Sequence, residues 1–210
     1  MTSPTDVWER FARKATPRRA TNAAGADTWL NWTQYPDHGP DESVLGPLAG
    51  KRVVELGSGA GANLAHLATL GADCVGVDIA PTRTATANHT WANRPGVRFV
   101  TADALDHLDT HPNTYDIAYS IFGAVWFTDP RVLLPAIHRA LRPGGTLAFS
   151  HLPPSSTPPP ADRVITQQHL PPQQWTNLLD SAGFTRIAVE FIPPPATHRT
   201  GTLLGRATRR

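Results

Sequence analysis

From residue 51 onward, short β-branched runs alternate with segments whose apolar residues recur at helical spacing, the pattern of parallel βαβ units. Arg52–Leu56 predicts a first strand, followed by a glycine-rich turn and a helix over about Gly61–Leu70 that Gly71 closes. Asp73–Val77 predicts a second strand, and Pro81 suits the first position of a helix reaching Trp91. Val97–Thr101 and Tyr115–Ser120 give strands three and four. Pro130–Leu141 reads as a helix, closed by Arg-Pro-Gly-Gly ahead of a fifth strand at Thr146–Ser150. A helix near Pro172–Ala182 precedes two last strands, Thr185–Ile192 and Gly201–Thr208, which suit an antiparallel pair. The intervening Pro153–Pro160 is too rich in proline and serine for a core element and predicts a loop, with a lid as one use for it. The first 50 residues break the pattern. Thr5–Ala15 has amphipathic spacing, and Trp29, Trp32 and Tyr35 precede a turn-rich stretch, Pro36–Pro40. Residues 1–50 therefore predict a helical cap over the crevice of one domain formed by residues 51–210.

Composition narrows the classes. A chain of 210 residues can bury one core without disulfides or metals. The net charge is only +2, lysine occurs only at positions 14 and 51, and the basic clusters are Arg18/Arg19 and Arg206/Arg209/Arg210. These lie near the chain ends, where tails are the ordinary reading, and no basic stripe marks a nucleic-acid footprint. The single cysteine, Cys74, excludes an internal disulfide and a cysteine zinc site, and its apolar strand predicts an inert buried thiol. No early signal-peptide core and no apolar run of membrane-spanning length is present. The expectation is a soluble cytoplasmic protein with no membrane or nucleic-acid partner and no metal.

The strongest local motif is Val53-Val54-Glu55-Leu56-Gly57-Ser58-Gly59-Ala60-Gly61, joining the first strand to its helix. Glycines there permit a tight turn and close approach of a ligand to bare backbone. Gly57, Gly59 and Ala62 also satisfy a relaxed dinucleotide pattern. Charge separates the two readings: Glu55 would repel a pyrophosphate, whereas a sulfonium and an ammonium are attracted to it. Asp78, 21 residues beyond Gly57, stands where a carboxylate accepts ribose hydroxyls in either class. Asp103, directly after the third strand, suits an exocyclic adenine amine. Each has a structural alternative: a plain tight turn for the glycines, and helix caps for Asp78 and Asp103.

Together with these motifs, ELGSGAG, GVDIA, TADAL, YDIAYSIFGAVWF and LRPGGTLAFS occur in one order over about residues 30–208. In this the sequence resembles the class I S-adenosylmethionine-dependent methyltransferases, in particular small bacterial ones of secondary metabolism. The resemblance implies an α/β fold: a Rossmann-like, doubly wound, seven-stranded and mostly parallel sheet with an antiparallel last strand, plus the N-terminal cap. It implies S-adenosylmethionine as cofactor, S-adenosylhomocysteine as product, and methylation of a small-molecule acceptor. It places Glu55, Gly57, Ser58, Gly59, Gly61 and Asn63 near the methionine end. Asp78 and Ile79 would then lie at the ribose, Asp103 and Ala104 at the adenine, and Ser120, Ile121 and Phe122 along the cofactor. Tyr35 and His38, in a turn resembling a closing segment of such enzymes, would line it too.

Methyl transfer from a sulfonium is an in-line displacement, and an oxygen acceptor also needs its proton removed. His151, directly after the fifth strand, and His38 are the candidate bases, because imidazole titrates near neutrality; a structural histidine is the alternative for both. Trp32, Trp126 and Phe127, with Phe122, are candidate walls of an acceptor pocket or else core residues. The fourth strand lacks the Asn/Asp-Pro-Pro-Tyr/Phe motif of nucleobase amine methylation, and no acidic or histidine cluster marks a metal-dependent catechol site. Two other functions stay open: a nicotinamide-dependent oxidoreductase, opposed by Glu55 and by the lack of a Tyr-x-x-x-Lys pair, and a non-methylating cyclisation or elimination on the same cofactor. A non-catalytic binding module is a third.

Overall fold

The computed structural model describes residues 3–16, 18–154 and 165–210. Of the proline-rich stretch expected to form a loop, all but Pro153 and Pro154 lies outside the described residues. Seven strands form a single sheet: β1 (Arg52–Leu56), β2 (Asp73–Asp78), β3 (Val97–Thr101), β4 (Tyr115–Ile121), β5 (Leu141–His151), β6 (Phe184–Ile192) and β7 (Thr202–Arg209). Their order is β3-β2-β1-β4-β5-β7-β6. β1 to β5 pair in parallel, and β7 runs antiparallel to both β5 and β6. Strand order reverses between β1 and β4, which opens a crevice at the carboxyl ends of the strands. This is the Rossmann-like sheet that the family resemblance implies, built on the parallel βαβ units that the alternation of strands and helices predicts. β5 is longer than expected because Leu141 pairs with Tyr115 before a register shift, so Arg142–Gly145 runs inside the strand and does not merely precede it.

Alternation along each strand divides the core into two clusters. Val54, Leu56, Val75, Val77, Ala118, Leu147 and Phe149 face one side; Val53, Cys74, Ile117, Tyr119 and Ala148 face the other. Helices α4 (Ala104–Asp109), α5 (Ala124–Phe127), α6 (Pro130–Ala140) and α7 (Pro172–Ser181) supply the first cluster through Leu108, Val125, Ile137 and Trp175. Helices α2 (Ala62–Thr69) and α3 (Pro81–Thr90) supply the second through Leu64, Leu67 and Ala87. Cys74 is buried in that second layer, where burial pushes its thiol up to about 12, as an inert structural cysteine requires.

The N-terminal 50 residues divide in two. Leu30, Trp32, Leu45 and Leu48 belong to the second core cluster and so are part of the domain itself. Only α1 (Pro4–Lys14) behaves as a cap. It starts at a reciprocal Ser3–Asp6 capping box, has proline in its first turn, and buries none of its residues. Its seat is the start of α3, whose N-cap Ala80 offers no side-chain acceptor. The Glu9 carboxylate fills that gap, accepting from the Thr82 N–H at 2.8 Å and from the Thr82 hydroxyl at 2.5 Å. Arg18 and Arg19 are not part of a loose tail. Arg18 donates to Asn63 and to the Trp29 carbonyl, Arg19 pairs with Asp37, and Arg209 donates to the Leu141 carbonyl.

Candidate active site

A cavity of about 880 Å³ opens at the carboxyl ends of the strands. One half is lined by strand-end residues: Gly57, Gly59, Asp78, Ile79, Asp103 and Ala104. The β1 turn owes its shape to glycine. Gly57 has φ +82°, and a Cβ there would come within 2.7 Å of the Gly123 Cα, so the loops after β1 and β4 touch through bare backbone. Gly59, also at positive φ, has nothing within 4 Å of the position a Cβ would take. Its naked backbone therefore faces open space on the cavity wall, a cradle that any side chain would fill.

Asp78 is fixed by backbone donors: Oδ2 accepts from Gly59 N at 2.8 Å and Oδ1 from Ala80 N at 2.9 Å. Burial raises its pKa against those two N–H groups, which lower it. Each oxygen keeps a further lone pair for a hydroxyl donor. Asp103 is a helix cap that also stands on the cavity wall. Its Oδ1 caps α4 by accepting from Leu105 N at 2.7 Å, and the residue lines the cavity.

Beside this turn, on the second face of the sheet, lies Glu55, only 2% exposed. Burial pushes its carboxyl up to about 8, while Tyr119, Asn63 and Arg18 pull it down. Its Oε1 has a long 3.5 Å contact with the Asn63 amide. The buried Tyr119 hydroxyl interacts with the same carboxyl, whose Oε2 makes no close hydrogen bond among the described residues, and the Ser58 hydroxyl is buried without a partner among them. They flank one another in the sheet: Tyr119 and Gly76 are the cross-strand partners of Glu55, and Ser58 Oγ lies against Gly76. Buried, unpaired polar groups on this scale are costly, and a cation able to donate several hydrogen bonds would satisfy them. Arg18 stands at the edge of the same group, 3.0 Å from Asn63 Oδ1 and 3.7 Å above the Trp29 ring. Burial lowers its pKa to about 10, which still leaves it charged at neutral pH. An ammonium near Glu55 with a carboxylate near Arg18 is the charge pattern of an amino acid, so the residues present fit the methionine end of S-adenosylmethionine.

The other half of the cavity is walled by Trp8 and Phe11 of α1, by Phe122 and Phe127, and by Gln168, Gln174, Asn177 and Arg131. Trp8 meets Phe127 edge to face, with ring centroids 4.6 Å apart, so α1 roofs the cavity. Phe122 reaches it from a backbone at φ +50°, unusual for an aromatic residue. The neighbouring Ser120 is occupied elsewhere. Its hydroxyl donates to the Leu56 carbonyl and accepts from Val125 N, tying β1 to α5, and Ile121 packs into the second cluster.

The remaining expected residues lie off the cavity wall. His151 is fully buried on the first face, stacked with Phe149 and Trp126 and packed near Trp175. Its Nδ1 donates to the Leu152 carbonyl at 2.7 Å, which leaves Nε2 without a proton and, among the described residues, without a partner, and burial lowers its pKa to about 4. His38 bonds the Pro193 carbonyl through Nε2, and the Tyr35 hydroxyl donates to the Thr200 carbonyl. Both pin the N-terminal segment to the β6–β7 connection. Trp32 donates to the Asp41 carbonyl from within the second core cluster, and Trp126 packs behind Phe127 and Phe122. Sequence reading missed Arg18, Arg83 and the amide group Gln168, Gln174 and Asn177. The helical spacing of Trp8 and Phe11 was the one signal that pointed at the roof.

A methyltransferase domain family model matches residues 54–149. A demethylmenaquinone methyltransferase of Clavibacter sepedonicus is 33% identical over 116 residues, 55% of this chain and 46% of that protein. The chain spans about half the length of this relative and of the ubiquinone biosynthesis O-methyltransferases it also matches. The O-methyltransferase cnsE of Penicillium expansum is 29% identical over 213 residues, 90% of this chain and 76% of that one. Among solved structures, an S-adenosylmethionine-dependent methyltransferase of Mesorhizobium loti superposes with TM-score 0.65 and 27% identity, covering 80% of this chain and 95% of its own. Residues 54–149 thus match a methyltransferase domain, and with its glycine turn, strand-end carboxylates and antiparallel seventh strand the chain is similar to the class I S-adenosylmethionine-dependent methyltransferases.

Proposed function

We propose that this protein transfers a methyl group from S-adenosylmethionine to a small-molecule acceptor of secondary metabolism by in-line displacement. The observation that carries the reading is the buried Glu55 carboxyl, its Oε2 without a close hydrogen bond among the described residues, set beside a bare glycine turn. It suits a cationic ligand and opposes the pyrophosphate of a nicotinamide dinucleotide.

In this reading Glu55, with Tyr119 and Ser58, receives the amino acid's ammonium, and Arg18 with Asn63 receives its carboxylate. Gly57 and Gly59 leave room for the chain that follows. Asp78 accepts the ribose hydroxyls while Gly59 and Ala80 hold it in place. Ile79 and Ala104 supply apolar walls, and the second oxygen of Asp103 meets the adenine edge. Bound there, the cofactor supplies an electrophilic methyl group on a sulfonium. The protein's own work is alignment and exclusion of water: Phe122, Phe127 and the α1 roof confine the acceptor, and fixed geometry accounts for much of such a rate enhancement. His151 and His38 are left out of the proton path. The first is packed among rings with a pKa near 4, and the second is spent on Pro193. His151 instead positions Trp126 behind the acceptor wall.

Calorimetric titration with S-adenosylmethionine, S-adenosylhomocysteine and NAD tests the reading. Saturable one-site binding of both sulfur compounds and none of NAD is expected. Binding of NAD alone, or of none of the three, would overturn it.

A further inference from the structure

The half of the cavity facing the acceptor contains no histidine, lysine, tyrosine or cysteine among the described residues. The carboxylates on the wall each hold backbone N–H groups: Asp129 Oδ1 caps α6 through Arg131 N, Asp103 Oδ1 caps α4, and Asp78 holds Gly59 and Ala80. What this half does offer is aromatic wall, amide edges and the positive charge of Arg131. Trp8, Phe122 and Phe127 present ring surface; Gln168, Gln174 and Asn177 present N–H donors. Arg131, exposed at the rim, makes no ion pair among the described residues.

A wall that offers no histidine, lysine, tyrosine or cysteine among the described residues suits a nucleophile that arrives already deprotonated. An anionic oxygen can then use its own electron pair to form the bond to the methyl carbon. The carbon–sulfur pair stays on sulfur, both formal charges vanish, and no proton has to move. Flat apolar walls select a planar ligand, and an unpaired guanidinium with amide donors selects a negative edge. Resting on the methyl-transfer reading above, we infer that the acceptor is a planar, electron-poor aryl hydroxyl or enol that ionises by itself near neutral pH. Arg131, Gln168 and Gln174 receive its oxyanion edge.

The test uses the full chain. Its binding of S-adenosylhomocysteine is measured first, so that failure there rejects the cofactor reading and not this inference. The loaded protein is then titrated with para-nitrophenol and para-cresol at about pH 8, where the former is mostly ionised and the latter is not. The nitrophenolate is expected to bind at least about tenfold tighter, a difference of one decade in Kd. Arg131→Gln should remove most of that preference while leaving homocysteine-product affinity in place, and Gln174→Leu should reduce it further. With S-adenosylmethionine supplied, methylated nitrophenol detected by mass should follow the ionised fraction of the phenol. Equal binding of both phenols, comparable methylation of the cresol, preference for aniline, or binding of neither phenol would each overturn the inference.

Discussion

The two halves of the cavity are built by different means. On the cofactor side, Asp78 and Asp103 are fixed through bonds to backbone N–H groups, and Gly57 and Gly123 meet backbone to backbone. Few of its parts can move or be exchanged. On the acceptor side, the wall comes from α1, the segment after β4, residues 165–170 and α7, and Arg131, Gln174 and Asn177 are exposed. The contrast separates an invariant ligand held by main chain from a variable one read by side chains that can be changed with little cost to the fold.

The largest expected effect breaks the first half. Gly57→Ala places a methyl group 2.7 Å from the Gly123 Cα and 2.8 Å from the Ala124 nitrogen, at a φ that disfavours it. The expected loss is about 3 kcal/mol, combining overpacking and left-handed strain, with loss of S-adenosylhomocysteine binding. Gln174→Ala, the matched change on the exposed acceptor side, should alter stability by less than about 0.5 kcal/mol. Thermal melts of the two variants decide the matter. If Gly57→Ala melts with the parent protein, the rigidity assigned to the cofactor side is wrong.

Next in size is Asp78→Ala. It removes the carboxylate that accepts from Gly59 and Ala80 and, in the proposed complex, from two ribose hydroxyls. Affinity for S-adenosylhomocysteine should fall by about 1–3 kcal/mol, or roughly 5- to 150-fold, with the circular dichroism spectrum unchanged. Unchanged affinity would remove Asp78 from the cofactor site.

The same contrast explains what the sequence disclosed. The turn Gly57–Gly61 and the carboxylates Asp78 and Asp103 were legible because each stands at a strand end, and strand ends follow from local periodicity. Helix α5 was not, because four residues carry no period. Ser120 and Ile121 were assigned to the cofactor by position along the chain, but a serine hydroxyl that ties β1 to α5 looks no different in sequence from one facing a ligand. Tyr35, His38, Trp32 and His151 fell off the wall for a related reason. Their partners, Thr200, Pro193, Asp41 and the Phe149–Trp126–Trp175 cluster, come largely from distant segments, and no spacing announces them. Arg18 was hidden in a run that resembled a basic tail. The acceptor side was illegible as a whole, since its amides gather only when α7 and residues 165–170 reach the cavity.

A smaller effect concerns the proton on Glu55. Its folded pKa of about 8 lies above its ordinary value of 4.5, so between these values the folded state holds a proton that the unfolded state has lost. Its contribution therefore favours folding below about pH 4.5 and declines as pH rises toward 8. A bound ammonium favours the ionised carboxyl, so binding near pH 7 should release a fraction of a proton and strengthen as pH rises toward 8. Calorimetry of S-adenosylhomocysteine in buffers of differing ionisation enthalpy measures that release. Glu55→Gln should abolish it; an unchanged release would place the proton on another group.

The smallest expected effect sharpens the comparison at the seam where α1 crosses both halves. The helix buries no residue and is held by Glu9 on Thr82 and by Trp8 against Phe127. The bonds from the Thr82 hydroxyl and N–H keep the Glu9 carboxyl below its usual value. The clamp is thus complete above the ordinary carboxylate range and is lost as pH falls through the lowered one. Because the core does not depend on α1, Glu9→Gln and Trp8→Ala should leave the melting temperature nearly unchanged. They should instead speed dissociation of S-adenosylhomocysteine by several-fold and expose Arg10 and Arg13 to trypsin. Stopped-flow dissociation and timed proteolysis provide the readings. If dissociation keeps the parent rate while cleavage accelerates, α1 shields only the acceptor side, and the cofactor is retained by the strand-end residues alone.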